Sequence, residues 1–270
     1  MGDDVYRAGQ NATAVPQARW MPRVSIITPT INRAGLLPAI WNCVRAQSVQ
    51  DFEWLVHDGS SQPAPMFDTI NDKRVRYMHV PEPMTIGAKR NALCEAANGN
   101  IIAQFDDDDY YAPLYIEHML SLMTACSADF VKLFGYFLYH RTYDTFAYWD
   151  LERDFPLHYV FEPNAVLKVQ RYRGGADARW AYGFSYVFHR RVWEAVRFQD
   201  RNHGEDRQFS NTVVAQFKSA GMQDLNCLCV HVIHTGNTSR AFPQQIFHSL
   251  LLTTLFPHFN LTSPTDRNGG

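Results

Sequence analysis

Ile101-Ile102-Ala103-Gln104-Phe105-Asp106-Asp107-Asp108-Asp109 is the stretch on which the reading of this chain turns. Five residues of strand character run without a break into four aspartates. A short buried strand that ends in carboxylates delivers them to the carboxyl edge of a sheet, which is where ligands bind in open α/β folds. Four adjacent like charges repel, so the run calls for a positive partner. Oxygen-only ligands at such an edge suit a hard divalent cation, Mg²⁺ or Mn²⁺, usually one shared with substrate phosphates. A solvated acidic turn ahead of a helix would show the same letters, and the flanking sequence has to decide between the two.

Upstream, Arg23 to Thr30 is rich in β-branched residues and runs through Pro29 into a loop, as a strand does. Leu37, Ile40, Trp41 and Val44 have helical spacing within Leu36 to Gln47. Phe52 to His57 is a second strand before the turn signal Asp58-Gly59-Ser60, and Arg74 to Val80 a third. Gly87 to Ala97 reads as a helix with Ala88, Ala92, Leu93 and Ala96 as its apolar face, stopped by Asn98-Gly99 as a left-handed cap. Pro113 to Cys126 is a helix behind the aspartates. Strand and helix alternate about four times, so a mostly parallel central sheet with right-handed crossovers is the economical α/β fold.

The second half breaks this rhythm. Asp129 to Arg173 is dense in aromatics, which predicts core or hairpin pairs rather than a sugar-stacking surface. Arg171 to Arg179 carries Gly174-Gly175 and reads as a mobile loop. Gln244 to Phe256 reads as a helix apolar enough to dock on the domain, or else against a membrane or partner. The expected organisation is a polar arm over 1–20, one domain over 21–240 with halves 21–127 and 128–240 around one core, and a C-terminal helix and tail over 241–270.

Composition narrows the partners. With 270 residues and 46% hydrophobic content the chain can bury a sizeable core. A net charge of −2 offers no basic field for nucleic acid. Five scattered cysteines suggest neither a disulfide framework nor a zinc site, and favour a reducing, cytoplasmic setting. No apolar run reaches the length of a membrane span, which leaves peripheral contact as the membrane option.

On these motifs the chain resembles a family 2 glycosyltransferase of the GT-A, Rossmann-like fold, with a smaller mixed acceptor half. Val24-Ser25-Ile26-Ile27-Thr28-Pro29-Thr30-Ile31-Asn32-Arg33 is similar to the family's nucleotide-binding strand and loop. Val56-His57-Asp58-Gly59-Ser60 resembles its second strand end, although the family more often has an acid where His57 stands. Gly87-Ala88-Lys89-Arg90-Asn91 resembles its basic helix start, and Phe105 to Asp109 with Pro113 its acidic segment. Gly204-Glu205-Asp206 looks like its Glu-Asp motif, Trp180 to Ser185 like the stretch facing donor sugar and acceptor, and His231-Val232-Ile233-His234-Thr235-Gly236-Asn237-Thr238-Ser239 like its closing segment.

The resemblance implies a UDP-sugar or other nucleotide-sugar donor held through Thr28, Pro29, Thr30, Asn32, Arg33, Asp58, Lys89, Arg90, Asp106 and Asp107. It implies Mn²⁺ or Mg²⁺ on Asp108 and His234, with His231 the other histidine to weigh. Asp206 would be the base that deprotonates an acceptor hydroxyl in an inverting displacement, and Glu205 its alternative. A glycan, a lipid-linked sugar or another hydroxyl compound would be the acceptor, as in polysaccharide synthesis. Independently of the family, Lys89 and Arg90 lie near a helix N-terminus, where the dipole disfavours cations by roughly 0.3–1 kcal/mol each. A diphosphate bound there by helix amides and these side chains would offset that. Two other functions fit the same letters: a sugar-phosphate nucleotidyltransferase, or a binding module without turnover.

Overall fold

The computed structural model describes residues 21–153, 155–171, 179–237 and 240–259. The first half builds four parallel strands, β1 (Val24–Thr30), β2 (Phe52–Asp58), β3 (Val75–His79) and β4 (Ile101–Gln104). Register puts Thr30 beside Asp58 and Ile27 beside Gln104, so three strands end along one carboxyl edge. Helix α1 (Leu37–Arg45) joins β1 to β2, with a proline in its first turn, where a missing N–H costs nothing. Its Leu37, Ile40 and Val44 are buried, and Trp41 stacks on Trp54 with ring centres 5.3 Å apart. The β2–β3 connection carries only a short 3₁₀ turn, Pro65–Asp68, where alternation predicted a helix.

Helix α2 (Ile86–Ala96) leads into β4, but its buried side is not the alanine face. Gly87, Lys89, Arg90, Leu93 and Cys94 are buried, while Ala88, Ala92 and Ala96 are half-exposed. The helix also does not end in a left-handed cap. Ala97 turns to extended backbone, the Glu53 carboxylate accepts from the Asn98 N–H and side-chain amide, and Ser25 Oγ accepts from the Gly99 N–H. Tertiary acceptors replace the local turn, and a Cβ on Gly99 would lie 2.7 Å from the Ser25 nitrogen.

After the two-residue β5 (Tyr110–Tyr111) and α3 (Tyr115–Cys126), the second half adds β6 (Phe130–His140), β7 (Thr145–Asp150), the separate hairpin β8 (His158–Glu162) and β9 (Ala165–Gln170), and β10 (Val187–His189). Then follow α4 (Arg190–Ala195), α5 (Glu205–Gln216), β11 (Ser219–Gln223), β12 (Cys229–Ile233), β13 (Gln245–Phe247) and α6 (Leu250–Leu255). Among the described residues the main path of the sheet runs β13-β7-β6-β10-β4-β1-β2-β3, with β11 and β12 also pairing β6. The aromatic segment forms the β6–β7 hairpin, as its density predicted. Gln244 to Phe256 is not one helix: β13 extends the sheet along β7, and only α6 is helical, docked by Leu252 and Phe256 while Leu250 stays 72% exposed.

The core crosses both halves. One cluster joins Val24, Ile26 and Trp54 to Tyr136, Phe146 and Trp149, and the other face of the sheet packs Leu93 and Ile102 on Phe188, Trp193 and Phe209. Among the described residues no helix is long and apolar enough to cross a membrane. The expected loop at Gly174-Gly175, the 1–20 arm and the tail beyond residue 259 lie outside the described residues.

Candidate active site

The four aspartates leave β4 at the carboxyl edge with different sets of partners, Arg33 being shared by Asp107 and Asp108. Asp107 accepts from Thr30 Oγ1 at 2.6 Å and from Arg33 at 2.8 Å. Asp108 Oδ2 lies 2.9 Å from the Arg33 guanidinium and 3.1 Å from His234 Nε2. Asp109 holds His231 Nδ1 at 2.9 Å and accepts from the Val232 N–H. Asp106 lies 3.5 Å from Arg90. Antiparallel pairing of β12 with β5 makes this possible, because it lays His231 and the end of β12 alongside the aspartates. Asp108 and His234, from opposite ends of the sequence, thus share one place.

The electrostatics are those of a site short of positive charge. Burial first, and then the neighbouring aspartates, push Asp106 up to about 7; burial and Asp108 push Asp107 up to about 6, although Arg90 and Arg33 pull the other way. Burial would raise Asp108 as well, yet the His234 hydrogen bond and Arg33 hold it below the ordinary carboxylate value. Burial would lower His231, but Asp109 lifts it to about 9, so it is an imidazolium stacked on Phe184. Ligand atoms of Asp106, Asp108 and Asp109 lie within 4.8 Å of one another. Hard oxygen donors at that spacing, with His234 beside Asp108, fit a divalent cation.

Residues assigned to the nucleotide fall into two groups. Arg33, Arg90, Asp106 and Asp107 present side chains to the acidic edge, with Arg33 also donating to the Gly236 carbonyl. Thr28 and Pro29 do not: both are buried within β1, and Thr28 Oγ1 accepts from the Trp54 indole. Asp58 is also committed internally, accepting from the Ser60 N–H and hydroxyl and from Tyr77. Asn32 is exposed at a left-handed turn (φ 55°), its N–H on Ser60. Lys89 donates to the Thr30 carbonyl. The α2 N-terminus is no diphosphate cradle in this structure. Its first N–H groups are taken by Asn202, Arg201 and Thr85, so protein acceptors and carboxylates offset the cations there.

The acidic run is a wall between two cavities. On one side a mainly apolar cavity of about 480 Å³ is lined by Leu36, Ala39, Cys43, Tyr110, Phe259 and the backs of Asp107 to Asp109. On the other a more polar cavity of about 500 Å³ brings together Arg90, Asp106, Tyr182, Glu205, Asp206 and His231. Glu205 and Asp206 open α5, whose cap is Gly204 in the left-handed region (φ 73°), so neither acid is the helix cap. They do different jobs. Glu205 forms a buried ion pair with Arg90, whereas Asp206 receives the Gly183 N–H at 3.0 Å and faces the cavity. Sequence reading missed Gly183 as a donor to Asp206, Asp109 as the anchor of His231, and Lys132 as the donor to the Arg179 and Ala181 carbonyls.

The family model for Glycosyl transferase family 2 matches residues 25–187. A glycosyltransferase of Haemophilus influenzae is 36% identical over 110 residues, 38% of this chain and 43% of that one. GalNAc(5)-diNAcBac-PP-undecaprenol beta-1,3-glucosyltransferase of Campylobacter jejuni is 25% identical over 194 residues, 69% of this chain and 58% of that one. The chain therefore spans about half the length of these relatives. Among solved structures, S. aureus TarS 1-349 in complex with UDP-GlcNAc has a TM-score of 0.55 at 13% identity, covering 80% of this chain and 60% of that one. The mannosyltransferase PcManGT of Pyrobaculum calidifontis, in complex with GDP-Man and Mn2+, has 0.57 at 17%, covering 79% and 57%. At such identities the likeness shows the fold, and it is the GT-A fold.

Proposed function

From the premise that the chain belongs to glycosyl transferase family 2, we propose that it moves a sugar from a nucleotide diphosphate, UDP by preference, to an acceptor hydroxyl with inversion, and that residues 21–240 hold the whole transfer site. The observation that carries this reading is the shared cavity of Asp106 and Asp206, which sets a carboxylate held by two backbone amides, those of Gly183 and Arg207, opposite the acidic edge. Asp206 takes the proton of the acceptor hydroxyl; the oxygen forms a bond to the anomeric carbon as that carbon's bond to the diphosphate oxygen breaks. Glu205 is not the base, because its charge is spent on Arg90.

Asp108 and His234 would hold Mn²⁺ or Mg²⁺, with Asp106 and Asp109 in reach, and the bound ion would supply charge neutralisation to the diphosphate leaving group. On the β1 side Arg33 reaches the aspartates directly, Thr30 donates to Asp107, and Lys89 is buried on the Thr30 carbonyl. Arg33 is the cation free to turn from Asp108 to a phosphate, since its side chain keeps 30% exposure. Support for UDP comes from the neighbours solved with UDP and UDP-GlcNAc, and for a divalent ion from the one solved with Mn²⁺. A relative named for an undecaprenol-linked glycan supports a glycan or lipid-linked acceptor.

Thermal melts with UDP, GDP, CDP and dTDP, each with Mn²⁺ or with chelator, test the reading. At a hundred times its dissociation constant a ligand adds about 2.7 kcal/mol, and at about 2–4 °C per kcal/mol for a chain of this size the melt should rise by about 5–10 °C. One nucleotide should give this rise with Mn²⁺, and Asp108→Asn should remove the metal-dependent part. No rise with any nucleotide would overturn the proposal.

A further inference from the structure

Lys132 is the third residue of β6 and has no exposed surface, in the apolar run Phe130-Val131-Lys132-Leu133-Phe134. Burying an amine is costly, and methionine or leucine would fill the same volume without that cost. Its Nζ donates to two backbone carbonyls, Arg179 at 2.7 Å and Ala181, with the rings of Tyr182 and Tyr186 5.9 and 6.0 Å away. Burial lowers its pKa to about 7, and the charge that acts against this is Asp206. Both carbonyls keep a donor whether the amine is protonated or neutral.

The segment that Lys132 grips is the one that holds Asp206. Ala181 accepts from Lys132, and two residues on Gly183 donates its N–H to Asp206 Oδ2. Tyr182 between them lies at φ 69°, a left-handed conformation that costs a non-glycine residue on the order of 1 kcal/mol and persists only when its surroundings fix it. Gly183 is wedged too: a Cβ there would lie 3.0 Å from the Asp206 Cβ and 3.1 Å from Gln104 Oε1. The Tyr186 hydroxyl touches the Trp180 carbonyl and, at 3.2 Å, that of Asp206. Clamped by Lys132 from behind and by Asp206 in front, this strained turn also forms one wall of the polar cavity.

We propose that Lys132 is a positioning residue for transfer: its two hydrogen bonds fix the Arg179–Gly183 segment so that the Gly183 N–H aims the Asp206 carboxylate at the acceptor. This rests on the reading of Asp206 as the base. The test measures UDP released by the full chain with Mn²⁺ and water as acceptor, from whichever of UDP-glucose and UDP-GlcNAc the wild-type protein hydrolyses. Lys132→Met should lower kcat on the order of 100-fold, the loss a displacement of about 1 Å can cause, while the donor KM stays within about twofold. UDP affinity and a cooperative melt confirm that the variant is folded. A buried amine serving only stability would move the melt and leave kcat alone, and that result overturns the proposal. Asp206→Asn in the same assay separates the two levels: if it keeps wild-type kcat the base assignment falls, and if it is inactive while Lys132→Met is not, only the positioning role falls. Should Lys132→Met fail to fold, Lys132→Gln, too short to reach both carbonyls, carries the test, and wild-type kcat in it is equally damaging.

Discussion

Glu205 and Asp206 are adjacent acids at one helix start, and changing each to its amide separates a structural charge from a chemical one. In the pair with Arg90 the side chains are 4% and 6% exposed. Burial alone would lower the Arg90 pKa, yet Asp106 and Glu205 together raise it, so the guanidinium depends on both carboxylates. Glu205→Gln leaves Asp106, which is 27% exposed and 3.5 Å away, and the more distant charge of Asp206. Removing one partner of a buried pair costs about 3–5 kcal/mol, and the Asp106 contact places this case near the lower end, about 3. At about 2–4 °C per kcal/mol the melting temperature should fall by about 6–12 °C. Asp206→Asn keeps an oxygen for the Gly183 N–H but turns its amide nitrogen toward the Arg207 N–H that the other carboxylate oxygen accepts, so its melt should fall by about 1 kcal/mol, whereas loss of a general base lowers kcat by roughly 10²–10⁴. Calorimetry and UDP release on both variants decide the matter. A Glu205→Gln protein that melts like wild type but has lost turnover, next to an active Asp206→Asn, would refute the assignment of both acids.

Two further outcomes follow from local geometry. The folded pKa of His231, about 9, lies above the ordinary 6.5, so its pairing with Asp109 stabilises fully below about pH 6.5 and is lost as pH rises through about 9; His231→Gln in chelator should therefore cost roughly 2–3 kcal/mol near pH 6 and little near pH 10, and an equal melting deficit at both ends would contradict this. A Cβ on Gly87 would lie 1.8 Å from the Gln199 carbonyl oxygen, a backbone atom that cannot swing away. Gly87→Ala should unseat the α2 N-terminus and cost about 2 kcal/mol or more in urea unfolding, and a melt like that of wild type would contradict this.

The first half was legible because its strands are short apolar runs bounded by turn letters, and parallel crossovers impose an order on them. β1 to β4 fall within a residue or two of where the letters place them. What was illegible depends on distant partners. Periodicity counts Lys89 and Arg90 as exposed, and what buries Arg90 is a glutamate 115 positions away. Asn98-Gly99 has the letters of a helix cap, but Glu53 and Ser25 supply the acceptors instead. β10, only three residues long, has no period of its own and exists because β4 and β6 flank it. At the site, motif letters placed Asp108, His234 and Asp206, but could not say that Asp58 and Thr28 turn inward. Lys132 did leave a signal, a lone charge inside an apolar strand, and nothing in the sequence named its partners.

The requirement that four aspartates find positive partners is met in the fold by side chains from three directions. Arg33 comes from the loop after β1, Arg90 from α2, and His231 from β12. They do not meet it fully. Asp106 and Asp107 stay pushed up to about 7 and about 6 with their arginines in place. A divalent ion on Asp108 would lower both, and in doing so would compete with Arg33 for the same Oδ2 atom. Arg90 is held differently, enclosed between Asp106 of the first half and Glu205 of the second. In the proposed reaction the first arginine would exchange partners with an incoming diphosphate, while the other keeps the acidic edge and the start of α5, with Asp206 on it, in fixed relation. The division follows from burial, since the exchanging side chain is 30% exposed and the fixed one 4%.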